Sequence, residues 1–175
     1  LRLQEWLQER EGNFSRSMAG VVAEDVALEI SSEPGRGTIG VVALDQNGHI
    51  VAGTSTGGKG FERIGRVSDS AMPAGNYATS DAGISCTGIG EAIIDECLAA
   101  RIVVRVTDGM SFQDAFQKSF NESQAHQRDL GAIGIDKTGT IAWGKTSDIL
   151  LAAYHTGDRI NDTLELPLGC QVGAC

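Results

Sequence analysis

Aromatic residues make up only 5% of the 175 residues, so any core must be packed from aliphatic and small side chains. Basic charge is scarce as well. Fourteen Lys and Arg stand against 23 Asp and Glu, a net charge of −9 with an isoelectric point near 4.7. Phosphate binding needs a basic stripe; none is visible, and nucleic acid is excluded as a partner. No apolar run approaches the roughly 20 residues that a membrane helix requires, so no membrane partner is expected. No CxxC pair occurs among Cys86, Cys97, Cys170 and Cys175. That removes the usual zinc spacing and predicts free thiols in a reducing cytoplasm, with a Cys170–Cys175 pairing left open. His49, His126 and His155 are scattered and read as surface or turn residues. They fit neither a metal site nor a His-based triad, and no metal is expected. The chain does not begin with Met, and Leu1–Gly12 is charged rather than signal-peptide-like. A fragment or processed piece of a cytoplasmic protein is expected.

What is present is glycine, 23 residues in all, interleaved with apolar runs in a way that suggests turns and close backbone contacts rather than disorder. The length suits one domain. Leu3, Trp6 and Leu7 share one face of a helix expected over Leu1–Asn13. Val21–Ile30 is apolar but ambiguous between helix and strand. Ser31–Gly37, with Pro34 and two glycines, reads as a mobile linker. A hairpin follows: Thr38–Asp45, a turn at Gln46-Asn47-Gly48, and a return over His49–Gly53. The pattern recurs over Gly131–Gly144, turning at Lys137-Thr138-Gly139. Between the hairpins lie a long loop, Gly57–Asp81, and two helices. The first spans Glu91–Asp108, with Ile94, Leu98, Ile102 and Val106 in register. The second spans Ser111–Ser123, capped by Ser111 with Asp114 three residues on, and striped by Phe112, Phe116 and Phe120. Hairpins with helices grouped on one face predict a layered α+β fold. A long loop in so compact a chain is a place to look for function.

Gly37-Thr38 sits between the linker and a strand. If the chain is cut there, Thr38 becomes N-terminal and its α-amine lies within reach of its hydroxyl. One residue then supplies both nucleophile and base. Taken alone, Thr38 is equally an ordinary β-branched strand residue.

Its company is more specific. GTSTGG occupies Gly53–Gly58, GRVSDS Gly65–Ser70, and SCTGIGE Ser85–Glu91. With the T-x-G of Thr38–Gly40, these segments resemble, in order and spacing, the plant-type asparaginase and isoaspartyl peptidase family of N-terminal-nucleophile hydrolases, which includes the glycosylasparaginases. The resemblance covers essentially 38–143. It implies Gly37-Thr38 as the cleavage site, Thr38 as nucleophile and Thr56 as the second active-site threonine. Thr87 and Gly88 would form the oxyanion hole. Arg66 would clamp the substrate α-carboxylate, as its guanidinium fork suits. Asp69 would meet the α-ammonium, and Gly88 and Gly90 would offer backbone contacts to the substrate head. Thr54 and Ser55 read as structural. Ser68 replaces a family glycine, and Pro73-Ala74-Gly75-Asn76-Tyr77-Ala78 departs from the family's GAGxYA. After Trp143 the match fades.

The resemblance implies hydrolysis of β-aspartyl amide bonds, in L-asparagine or isoaspartyl dipeptides, without a cofactor. Glycosylasparaginase activity and an inactive, unprocessed precursor that serves only as a structural or interaction fragment are the alternatives. It also implies part of a four-layer αββα sandwich. Residues 1–37 would end an α-subunit and 38–175 would form the β-subunit. The rest of the α-subunit would be missing from this chain, and an (αβ)2 heterotetramer is expected.

Overall fold

The computed structural model describes residues 37–58, 65–167 and 169–175. The expected helix over Leu1–Asn13, the ambiguous Val21–Ile30 and linker residues 31–36 lie outside the described residues. The chain divides into two compact units: Leu1–Gly37 with Gly57–Arg66, and Thr38–Thr56 with Val67–Cys175. Every described helix and strand belongs to the second, and the fold is α+β.

Strands β1 (Thr38–Leu44) and β2 (Ile50–Thr56) form an antiparallel hairpin. After β3 (Asn76–Ala78) and β4 (Ala82–Gly88) come helices α1 (Gly90–Glu96), α2 (Leu98–Thr107) and α3 (Phe112–Ala125). Strands β5 (Leu130–Asp136), β6 (Ile141–Lys145), β7 (Ala153–His155), β8 (Ile160–Asp162) and β9 (Gln171–Ala174) complete the order. A five-stranded antiparallel sheet runs β3-β4-β5-β6-β9. The β1–β2 hairpin packs on one face of it, against β3, β4 and β5, while α2 and α3 cover the other. Unit two is thus layered hairpin, sheet, helices.

The hairpins form because their turns carry local hydrogen bonds. Asp45 Oδ1 accepts the N–H groups of Asn47 and His49, each at 2.8 Å. The His49 backbone bond, reinforced by its side chain, holds the Asp45 carboxyl down at about 2. Asp136 Oδ1 does the same for Thr138 (2.8 Å) and Thr140 (3.0 Å). Gly48 (φ +83°) and Gly139 (φ +87°) take the left-handed positions. The two hairpins share one construction, as their sequences indicate. In α3, Ser111 Oγ accepts the Asp114 N–H at 3.1 Å, and Phe112, Phe116 and Phe120 are buried against the sheet.

Five features go beyond or depart from the sequence reading. The return strand β2 runs on to Thr56, three residues beyond Gly53. The long loop contains a short 3-10 turn, Asp69–Ala71, and the strand β3. Strand β4 was not expected at all. Its Ala-Gly-Ile-Ser-Cys-Thr-Gly run is buried over its first five residues. A strand covered on both faces shows no apolar–polar alternation, and Ala and Gly are poor strand formers. The helix expected over Glu91–Asp108 breaks at Cys97, which is left-handed at φ +48° and ψ +43°. The break is compensated from outside the helix. The N–H groups of Ala99 and Ala100, in the first turn of α2, donate to the carbonyls of Ala74 (2.8 Å) and Pro73 (3.0 Å). The C-terminal tail, silent in the sequence, adds β9 beside β6. The buried Lys145 ammonium donates to the carbonyls of Asp148 (2.7 Å) and Pro167 (2.8 Å).

Candidate active site

Thr38 and Thr56 are the outermost cross-strand pair of the β1–β2 hairpin. The Thr38 hydroxyl donates to Thr56 Oγ1 at 3.2 Å. Strand alternation then sorts the neighbours. Thr38, Gly40, Val42 and Leu44 turn toward the five-stranded sheet, while Ile39, Val41 and Ala43 face outward and are exposed.

The sheet answers with hydroxyls of its own. On β4, Ala82, Ile84 and Cys86 join the helix-side core, leaving Gly83, Ser85 and Thr87 on the hairpin side. Gly83 lies against Ile50 and Ala52, and Ser85 lies under Gly40. Ser85 Oγ and Thr54 Oγ1 are 2.7 Å apart. Stepping along β2 from Ile50 and Ala52 to Thr54 therefore follows β4 from Gly83 to Ser85. The next step on each strand is Thr56 and Thr87. Hydroxyls of β1, β2 and β4 share one interlayer face.

Beyond Thr87, β4 ends at Gly88, whose φ of +124° is closed to other residues. A Cβ there would sit 2.6 Å from the Asp129 carbonyl oxygen and the Leu130 Cα. The Ile89 N–H donates to that Asp129 carbonyl at 3.0 Å, and Gly90 opens α1. Asp69 is 4% exposed, in the 3-10 turn that packs beside α1. Its Oδ1 accepts from Ser68 Oγ at 2.8 Å. Burial, then the nearby Asp69 charge, pushes the Cys86 thiol well above its ordinary value, against a smaller opposing effect of the Ala99 N–H. An isolated surface carboxylate would have neither burial nor such a neighbour. Arg66 falls in the first unit and is half-buried, and Gly37 there is exposed.

A family model described as Asparaginase matches residues 1–165. The chain belongs to the asparaginase family. Among the relatives of this asparaginase-family chain, the isoaspartyl peptidase/L-asparaginase of Nostoc sp. is 69% identical over 174 residues, covering 99% of this chain and 54% of that protein. The protein of the same name from Synechocystis sp. is 59% identical over 172 residues, covering 98% of this chain and 51% of its own. The human isoaspartyl peptidase/L-asparaginase is 36% identical over 149 residues, covering 80% and 48%. The chain spans about half the length of the curated relatives it matches.

Two groups in this asparaginase-family chain carry structure around the site without having been singled out in the sequence. Ser85 is one; only its place within SCTGIGE marked it. The other centres on Glu96, 2% exposed at the end of α1. Its carboxylate meets Arg101 (2.7 Å), His126 (2.7 Å) and Arg128 (3.3 Å). Burial raises its pKa, but hydrogen bonds from His126 and Arg128 and the charge of Arg101 outweigh that and hold it low. Arg128 directly precedes Asp129, whose carbonyl backs the Gly88–Ile89 turn. His126 is an exposed turn residue, as read from sequence, and its ring hydrogen-bonds the buried Glu96 carboxylate. Arg101 also meets Glu122 at 3.2 Å, and the charges of Glu96, Arg101 and Glu122 are the trace of this network in the sequence.

Proposed function

We propose that the protein to which this chain belongs hydrolyses β-aspartyl amide bonds, in L-asparagine, isoaspartyl dipeptides or both, through Thr38. The observation that carries the reading is the 3.2 Å hydrogen bond from Thr38 to Thr56 at the very start of β1. The names of the relatives favour this activity over glycosylasparaginase.

Cleavage at Gly37–Thr38 comes first. Thr38 Oγ attacks the Gly37 carbonyl carbon, the peptide nitrogen leaves as the new α-amine, and water opens the resulting ester. In the continuous chain the Thr38 nitrogen is an amide and cannot serve as a base, so this step creates the catalyst. The amine then takes the Thr38 hydroxyl proton as Oγ attacks the substrate side-chain carbonyl. The Thr87 hydroxyl and Gly88 N–H stabilise the oxyanion. The leaving amine departs with a proton from the Thr38 ammonium, leaving a β-aspartyl ester. Water, activated by the same amine, hydrolyses it. Arg66 binds the substrate α-carboxylate, Asp69 the α-ammonium, and Gly88 and Gly90 contact the head through their backbone. None of these steps requires an organic cofactor.

Residues 1–37 are then the end of an α-subunit and 38–175 the β-subunit of a four-layer αββα sandwich, assembled as an (αβ)2 heterotetramer. The apolar outer face of the β1–β2 hairpin supports a covering segment from the rest of the protein. Ile39 is 77% exposed and Val41 58%, more apolar surface than a finished layer leaves to water. The test is incubation of the full-length precursor and its Thr38→Ala variant, followed by N-terminal sequencing and assay on L-asparagine and an isoaspartyl dipeptide. A new terminus at Thr38 with turnover is expected in the parent only. Cleavage in the variant would assign the cut to an outside protease, and an uncleaved, inactive parent would overturn the reading.

A further inference from the structure

We propose that Ser85 is a positioning residue that sets the spacing between the Thr38 nucleophile and the Thr87–Gly88 oxyanion donors. The inference rests on the reading of Thr38, Thr87 and Gly88 given above. Ser85 is 3% exposed, in the middle of β4. It is tied to both strands of the nucleophile hairpin at once. Its hydroxyl pairs with Thr54 Oγ1 of β2 at 2.7 Å. On β1, Gly40 approaches so closely that a Cβ there would lie 2.1 Å from Ser85 Oγ. Gly40 and Thr54 are themselves cross-strand partners, so Ser85 sits beneath one rung of the hairpin.

The next rung on the same face of the hairpin is Thr38–Thr56. On β4, the next residue on the same face is Thr87. The rung that carries the nucleophile and the strand position that carries the oxyanion donor are therefore each one pleat away from a single anchor. Packing between two sheets is otherwise non-directional, and apolar contacts such as Gly83 against Ile50 would tolerate sliding. A hydroxyl pair with one buried member does not. Moving the hairpin along β4 would strand the buried Ser85 hydroxyl and part the half-buried Thr54 from it, and moving it closer would drive Gly40 into Ser85. The T-x-G of β1 thus acquires a physical reason: the glycine makes room for the serine of the S-x-T-G on β4.

Misplacement of a reacting atom by about 1 Å can cost on the order of a hundredfold in rate. The experiment uses the full-length precursor carrying Ser85→Ala, Thr54→Val, both together, or Thr54→Ser. Steady-state constants are normalised to the fraction bearing an N-terminal Thr38, and melting temperature is recorded alongside. Ser85→Ala and Thr54→Val are each expected to lower kcat roughly 10- to 100-fold, with KM for the aspartyl head changed less than about threefold, since neither Ser85 nor Thr54 is assigned a contact to the substrate head. The double variant should be no worse than the more affected single one, because both remove the same link. Thr54→Ser, which keeps the hydroxyl, should restore most of kcat. Should Ser85→Ala fail to fold, the Thr54→Val and Thr54→Ser pair decides alone. Variants that melt lower but keep the parent kcat would overturn the proposal and leave Ser85 a packing residue. A parent that shows no turnover would instead overturn the assignment of Thr38, and the present proposal with it.

Discussion

Thr38 and Thr56 face each other across the open end of the β1–β2 hairpin, hydroxyl to hydroxyl at 3.2 Å. Eighteen residues separate them in sequence, yet their relation is local. It follows from the turn at Asp45–His49, which fixes the register, and from counting outward along both strands.

Replacing Thr56 with Val keeps the β-branched shape and removes the hydroxyl. A neutral hydrogen bond contributes about 1 kcal/mol, so kcat should fall roughly fivefold with KM little changed. Thr56→Ser should stay near the parent. Steady-state kinetics on L-asparagine checks this; an unchanged Thr56→Val enzyme would remove Thr56 from the machinery.

Arg66→Lys should weaken binding of the free aspartyl head far more than it weakens folding. A carboxylate is held by the guanidinium fork in a geometry that an ammonium cannot reproduce. The loss is on the order of 1.5–3 kcal/mol, seen as a KM raised at least about tenfold. Equal KM values in parent and mutant would count against the clamp.

Ser68 stands where the family pattern has glycine, and its hydroxyl occupies Asp69 Oδ1 at 2.8 Å. A substrate α-ammonium held by Asp69, as proposed above, would compete with Ser68 for that carboxylate. Ser68→Gly should therefore tighten binding of substrates with a free α-amine, lowering KM by roughly tenfold, the low end for a hydrogen bond to a charged group. Substrates lacking the α-amine should not respond. Comparing the two substrate types in both proteins tests it, and an equal response refutes the link to Asp69.

Acid should destabilise the helical layer before the hairpins. Burial raises the pKa of Glu96 and of Glu122. In Glu96 the bonds from His126 and Arg128 and the Arg101 charge win, in Glu122 the Arg105 bond and charge with Arg101, so both end below the ordinary 4.5. A depressed folded pKa means stability that is present above the unfolded value and is lost as pH falls through the folded one. Melting temperature should therefore decline as pH drops below about 4.5. Glu96→Gln should cost about 3 kcal/mol at neutral pH, the low end for breaking a buried pair, because Arg101 and Arg128 stay partly solvated. The same variant should flatten the acid decline. Thermal melts from pH 7 to pH 3 measure both effects, and a parallel decline in parent and variant would exclude Glu96 as the titrating group.

The sequence by itself determined the hairpins, the capped third helix and the family. Each is written in contiguous residues. Asp45 and Asp136 with their turn glycines dictate the reversals, Ser111 and Asp114 dictate where a helix starts, and the four motifs lie in order along 38–91. Tertiary structure alone decided the rest. Strand β4 carries Ala, Gly and Ser, whose own strand preference is low. It is a strand because two layers bury it, and double burial erases the alternation by which strands are read. The helix break at Cys97 was equally hidden, since the carbonyls that compensate it belong to Pro73 and Ala74, more than twenty residues earlier. The role of Ser85 depends on Gly40 and Thr54 arriving above it from another sheet. Local chemistry reaches only a few residues along the chain. Contacts between layers join residues whose separation no motif spans, and they exist only once the layers have packed.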